Sequence, residues 1–263
     1  MSWSSMRNRR WGLILACILV LTMVLGACGA KTGGETKDTY DIAMAATEKV
    51  NDADAMSFDM NIDMKMTISG SEQEIHMEGP VKVLNNGDDD IQFYAKQETS
   101  MLGINMALTM YYRDGYLYTE VEDQKVKQAV DAAEMSSQQS TSLTIFDKSF
   151  IKSSSDKKVA AGTEYRFTID GAGLKDMVIK SMGSSAGLEG VSEDDMTFGD
   201  AEVVMVLDKD GNVVSQSMEM AYEMVILEQT VMMNMVMNVK NIKTGGVTID
   251  FPADLDTYQE SAV

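Results

Sequence analysis

The sequence predicts an α+β fold: one antiparallel sheet of about ten strands with helices laid over its apolar face. Three observations carry this. Apolar and polar residues alternate without error from Phe58 to Ile68, and the same period of two returns in several later segments. Turn residues punctuate those segments, as at Asn85-Asn86-Gly87 and Arg113-Asp114-Gly115. Three stretches instead carry apolar residues at helical spacing. Strands that alternate this cleanly have one face buried and one face wet.

The chain opens on a different kind of segment. Arg7, Arg9 and Arg10 precede an apolar run of 15 residues, Trp11 to Leu25, and small residues Gly26 and Ala27 lead to Cys28. A basic start, an apolar middle and a small-residue end make a secretory signal. Leu25-Gly26-Ala27-Cys28 resembles the bacterial lipobox. That resemblance implies cleavage between Ala27 and Cys28 and a diacylglyceryl group on the Cys28 thiol. A spanning helix needs about 20 apolar residues, more than this run supplies. The protein is therefore expected on the outer, extracytoplasmic side of the cell membrane, held there by lipid. Two acyl chains anchor stably where one holds only marginally. The domain reading is residues 1–27 as signal peptide, 28–37 as a lipidated Gly, Lys and Thr tether, and 38–263 as one folded domain.

Asp38 to Asn51 reads as a helix, with Ile42, Ala45, Ala46 and Val50 on one face and Asp38 or Thr39 as cap. The alternating strand Phe58 to Ile68 follows. After a turn near Gly70, Ile75, Met77, Val81 and Val83 keep the period, with Pro80 marking a bulge or a sheet edge. Ile91, Phe93 and Ala95 begin a third strand, Ile104 to Tyr112 a fourth, and Tyr116 to Val121 a fifth. These five make a meander. Val126, Ala129, Val130 and Ala133 then fall at i, i+3, i+4 and i+7, a helical stripe. Ser136 to Ser142 and Ser153 to Asp156 read as polar loops on either side of the segment before the strand Thr163 to Ile169. Leu174, Met177, Val178, Ser181 and Met182 trace a further helix, and Gly183 to Gly190 a flexible loop. Val203 to Leu207 and Val213 to Ile226 flank the turn Asp208 to Asn212. Thr230 to Val239 and a short strand Val247 to Phe251 close the chain.

Composition excludes several functions. Removing the signal takes away three arginines and no acid, so the formal charge moves from −19 to −22. Nucleic acid is no partner for such a surface, because binding it requires cations that displace counterions. Cys17 leaves with the signal and Cys28 is committed to lipid, so neither a disulfide nor a thiolate site is available. His76 is the single histidine and sits in the polar phase of its strand, which leaves His-based zinc and triad chemistry without material. Motifs for phosphate loops, nucleophile elbows and zinc proteases are missing from the sequence. The reading is no enzyme, no cofactor and no metal.

Two weaker metal patterns stand in the sequence. Asp208, Asp210, Asn212 and Glu219 stand at positions 1, 3, 5 and 12 of a calcium loop, but position 6 is Val213 where a sharp turn needs Gly. A hairpin turn with Gly211 at positive φ is the better account. Asp88-Asp89-Asp90 and Glu193-Asp194-Asp195 read as solvated loops.

Methionine is the remaining signal. The chain has 24, of which Met1, Met6 and Met23 leave with the signal. Met60, Met64, Met66, Met106, Met110, Met218, Met220, Met224, Met233, Met235 and Met237 share the inward phase of their strands. Flexible, polarizable side chains in such number suit either an ordinary core or an apolar cavity that adapts to varied ligands.

Three strings carry a family resemblance: Tyr111-Tyr112-Arg113-Asp114-Gly115-Tyr116-Leu117-Tyr118, Val206 to Val214, and Val247-Thr248-Ile249-Asp250-Phe251-Pro252. With the order of elements, residues 38–258 resemble the LolA/LolB/LppX-like lipoprotein carriers, and a group of Gram-positive membrane-anchored lipoproteins of that type. The resemblance implies a single curved antiparallel sheet, an open half-barrel, with about three helices covering its concave face. It also implies a lipid or lipoprotein ligand and carries over no catalytic residue; the shared phase of the eleven methionines makes them the expected lining for that ligand. A tethered cell-surface module with a filled core and a protein partner is the alternative.

Overall fold

The computed structural model describes residues 38–85, 87, 90–132, 135, 146–175, 195–226 and 229–260. The signal and tether, with Ala27 and Cys28, lie outside these residues. So do the loops 136–142 and 183–190, and Asp88, Asp89, Glu193 and Asp194.

Among the described residues thirteen strands form one open, curved sheet. They are β1 (Ala55–Ile68), β2 (Ser71–Asn85), β3 (Ile91–Met101), β4 (Ile104–Arg113), β5 (Tyr116–Val121), β6 (Gln124–Ala129), β7 (Ile151–Val159), β8 (Gly162–Ile169), β9 (Met196–Phe198), β10 (Ala201–Leu207), β11 (Val213–Ile226), β12 (Gln229–Thr244) and β13 (Gln259–Glu260). Their order is β13-β6-β5-β4-β3-β2-β1-β12-β11-β10-β8-β7, with β9 pairing β11 off that path. The β1–β12 pair joins the first meander to the last hairpin. Every pairing is antiparallel except β13 on β6.

Helix α1 spans Thr39–Asn51, and the Asp38 side chain caps it by accepting from the Asp41 N–H at 3.0 Å. Its buried face is Ala43, Met44, Ala46, Thr47 and Val50, rotated from the expected stripe so that Ala45 points to solvent. The helix lies against β7, β10 and β11. Thr47 satisfies its hydroxyl on the Ala43 carbonyl at 3.0 Å, and Tyr40 meets Phe167 edge to face at 6.4 Å. Among the described residues no helix is long and apolar enough to cross a membrane.

Several expectations are corrected. Among the described residues the strands number thirteen rather than about ten, with fewer helices than expected. Val126 and Ala129 belong to strand β6, and the helical hydrogen bond from Met135 N–H to the Asp131 carbonyl comes only after it. Ser153 to Asp156 is not a loop but the middle of β7, an edge strand whose polar residues carry no apolar alternation. The stripe beginning at Leu174 is seen as a helical turn over 171–175, capped by Asp170, and its later residues lie outside those described. Pro80 marks neither an edge nor a register shift. Strand β2 is interior, and its ladder with β3 runs from Glu78–Glu98 to Val81–Ala95, passing over Gly79 and Pro80.

Val247 to Phe251 is also not a strand. The chain after β12 becomes a strap across the outer face of β2 to β6. Lys82 Nζ donates to the Thr248 carbonyl at 2.9 Å, Phe251 lies 6.0 Å from Tyr111, and β13 pairs with the edge of β6. The strap thereby covers an edge that would otherwise offer unpaired backbone groups.

The turn at Asp208 is the expected hairpin. Gly211 has φ 78°, and Asp208 accepts from the N–H groups of both Asp210 and Asn212 at 2.9 Å. These backbone donors, with the Asn212 amide, hold the Asp208 carboxyl below its usual range. Its oxygens are used in closing the turn, and Glu219 stands out on β11 in the exposed phase.

Candidate functional site

Residues paired across an antiparallel ladder point to the same side of the sheet, so the register assigns every strand residue to a face. Asp59, Asn61, Asp63 and Lys65 of β1 face His76, Glu74 and Glu78 of β2 on the outer side. There His76 Nδ1 lies 2.6 Å from Asp63 Oδ1 and Nε2 lies 3.7 Å from Glu78 Oε2. The Asp63 carboxylate favours the imidazolium, so the His76 pKa is raised. This is an exposed ion pair on the wet face, as its strand phase implies.

The inner side is different. One row runs Ile75, Met64, Met235, Met220, Ala201 and Ile169 across β2, β1, β12, β11, β10 and β8. Its neighbour runs Met77, Ile62, Met237, Met218, Val203 and Phe167. A third passes Met66, Met233, Tyr222 and Phe198, and Tyr222 stacks on Phe198 at 5.1 Å. On β4, Met106 and Met110 pair with Thr99 and Ala95, which places them on the same side. Met224 pairs with Val231 and Met196 at one end. All eleven methionines read from the sequence therefore share the inner face. Adjacent strands lie about 4.8 Å apart, so the methionine side chains next to one another within a row fall within packing reach.

Burial divides this face in two. Met64, Met218, Met220, Met233, Met235 and Met237 are buried in the core cluster. Met60, Met66, Met106, Met110 and Met224 are half-buried. Helix α1 covers this face at β7, β10 and β11, with Thr47 Oγ1 3.6 Å from Met205 Sδ on β10. Of the half-buried set, Met60 and Met66 lie on β1, Met106 and Met110 on β4 and Met224 on β11. Near the β4 pair, Leu108, Val121 and Val126 are also incompletely covered. The inner face thus passes from a packed core to a half-buried apolar flank over β4 to β6.

Sequence reasoning missed some of its members. Met205 and Met196 are buried on β10 and β9, and Met56 begins the β1 row. Extending the period of two on β10 would have found Met205. Four buried polar residues on strands also face inward: Gln97 and Thr99 on β3, Thr163 on β8 and Gln216 on β11. Continuing the β3 alternation beyond Ala95 would have placed Gln97 and Thr99 on this face.

Among the described residues no group of three His, Cys, Asp or Glu side chains is placed to hold a metal. One ionic cluster joins Lys152 with Asp170 at 2.8 Å and Asp200 at 2.6 Å. Asp200 also accepts from the Gly171 N–H at 3.1 Å, so this cluster fastens the helical turn at 171–175 to β7. Both carboxyls are held below their usual range by the Lys152 ammonium.

Residues 38–256 match the family described as Family of unknown function (DUF6612). The chain belongs to this family. No curated protein matches it. Among solved structures, LprF from Mycobacterium bovis is similar at 11% identity and a TM-score of 0.40, over 84% of this chain and 100% of that one. A DUF1329 family protein from Desulfovibrio piger is similar at 9% identity and 0.28, over 80% and 93%. A domain from Vibrio parahaemolyticus assigned to outer membrane lipoprotein sorting is similar at 8% and 0.26, over 83% and 96%.

Proposed function

We propose that the protein is a membrane-anchored extracytoplasmic lipoprotein that takes a lipid or other apolar ligand onto the inner face of its sheet. The observation that carries this is the graded methionine face. Six methionines are packed into the core and five more on the same face are half-buried, among them Met106 and Met110 of β4 on the strand of Leu108, beside Val121 and Val126. An apolar surface only half-covered by the chain itself costs free energy in water at about 25 cal/mol per Å². An acyl chain laid along it removes that cost, and methionine repacks around chains of different length.

The lipobox supports the location. Intact-mass measurement of the membrane-extracted protein is expected to show a diacylglyceryl group on Cys28. Cys28→Ala should abolish it and move the protein out of the membrane fraction. Wild type without acyl mass would overturn the anchor. The ligand reading is tested on the same extracted chain by native mass spectrometry with added monoolein. A saturable adduct of one to a few lipids is expected, weakened at least tenfold in Met60→Asp, since a carboxylate on the apolar flank must be desolvated to admit the lipid. No adduct at any lipid concentration would leave the surface-interaction module as the function.

A further inference from the structure

The apolar flank contains one buried amide. Gln97 is 7% exposed and sits between Ala95 and Thr99 in the inward phase of β3. Its register partner on β4 is Leu108, which pairs onward with Val121 of β5. On the β2 side the ladder brings Gly79 level with it, and Gly79 pairs with Met60 of β1. The row is therefore Val121, Leu108, Gln97, a position without side chain, and Met60. Gln97 Oε1 is shielded from solvent and accepts no hydrogen bond from the described residues.

A buried amide oxygen left without a donor is destabilising, and native folds seldom keep one without a use. Leucine or methionine at position 97 would continue the surface at no such cost. The oxygen accepts and cannot donate. What completes it must bring an O–H or N–H to this level while its hydrocarbon lies along Met60, Leu108, Met106 and Met110. A plain ester or hydrocarbon has no such proton. An ionised fatty acid has none either, and the charge of −22 on the mature chain opposes an anion.

We infer that Gln97 selects, among apolar ligands, a neutral acyl lipid carrying a hydroxyl or amide donor next to its chain. This rests on the lipid reading above and names the class of lipid. The test uses the full lipidated chain in native mass spectrometry, with monoolein and methyl oleate added together. The two share one acyl chain, and only monoolein has hydroxyl donors. One hydrogen bond to a buried acceptor corresponds to about a five- to tenfold preference for monoolein in wild type. In Gln97→Met the two adducts should become equal, with methyl oleate binding unchanged or stronger, and the melting temperature should not fall. A preference that survives Gln97→Met, or equal adducts in wild type, overturns the assignment of Gln97 while leaving lipid binding intact. Absence of both adducts removes the lipid reading itself.

Discussion

Gly79→Ala is expected to be the most damaging small substitution in the protein, lowering stability by about 3–5 kcal/mol. A Cβ built on Gly79 would lie 1.7 Å from the Lys96 carbonyl oxygen and 2.8 Å from its carbon. Both atoms are backbone, so no rotamer change relieves the contact. Gly79 has φ 157°, at the limit of what an L side chain adopts. Pro80 follows and has no N–H to give to β3, which is why the β2–β3 ladder skips this pair. The two strands approach through the bare glycine instead of through a hydrogen bond. Alanine must push β2 from β3 in the middle of the sheet. Gly211→Ala is the control. Its added Cβ meets nothing within 4 Å, and only the φ of 78° is unfavourable, so about 1 kcal/mol is expected. Urea midpoints with an unchanged m-value read the difference. A Gly79→Ala protein as stable as Gly211→Ala would show that the strands are not in contact there.

Where alternation was carried by apolar side chains against charged ones, the sequence was legible. From Phe58 to Ile68 the pattern gives β1, its inner face and, through the turn near Gly70, its partner β2, whereas the pairing with β12 shows only in the structure. The eleven methionines were placed on one face by phase alone, and the register agrees. Legibility failed at edges and where a pattern served another purpose. Strand β7 reads Ile-Lys-Ser-Ser-Ser-Asp-Lys-Lys-Val and is exposed along nearly its whole length. It exists because β8 offers it a ladder and Glu164 offers Lys157 a partner at 3.0 Å, and neither is visible locally. Val126 and Ala129 fit a helix by spacing, yet Lys125 and Lys127 on either side of Val126 fit a strand equally well. Their partners on the outer face, Asp254 and Tyr116, decide the matter from elsewhere in the chain. The alternation of Val247, Ile249 and Phe251 is real, but it lays a strap on aromatic side chains rather than building a ladder. Gln97 was illegible as a site because its meaning depends on what fails to bond it, and only packing shows that.

Tyr258→Ala is the second substitution expected to act strongly, at about 3–4 kcal/mol. Tyr258 is 3% exposed, although it stands at the end of the strap. Its ring meets Tyr118 edge to face at 5.4 Å, and Lys125 Nζ sits 5.4 Å from its centre. Its hydroxyl donates to Glu120 Oε2 at 3.2 Å. Burial, reinforced by the Glu120 carboxylate, pushes the Tyr258 hydroxyl far above the ordinary tyrosine range, so it keeps its proton. Lys125 in turn holds Asp254 at 2.8 Å and Glu120 at 3.8 Å, which ties the strap to β5 and β6 through one cation. Removing the ring empties this pocket and frees β13 from the β6 edge. Tyr258→Phe keeps the ring and loses one hydrogen bond, for about 1 kcal/mol. Urea denaturation of the two variants separates ring from hydroxyl, and an alanine variant within 1 kcal/mol of wild type would show that the strap is not anchored here. The strap crosses the outer face, opposite the methionines. Where Tyr258→Ala remains folded, its monoolein adduct should therefore match that of wild type. Loss of the adduct in a protein that is still folded would place the ligand on the outer face.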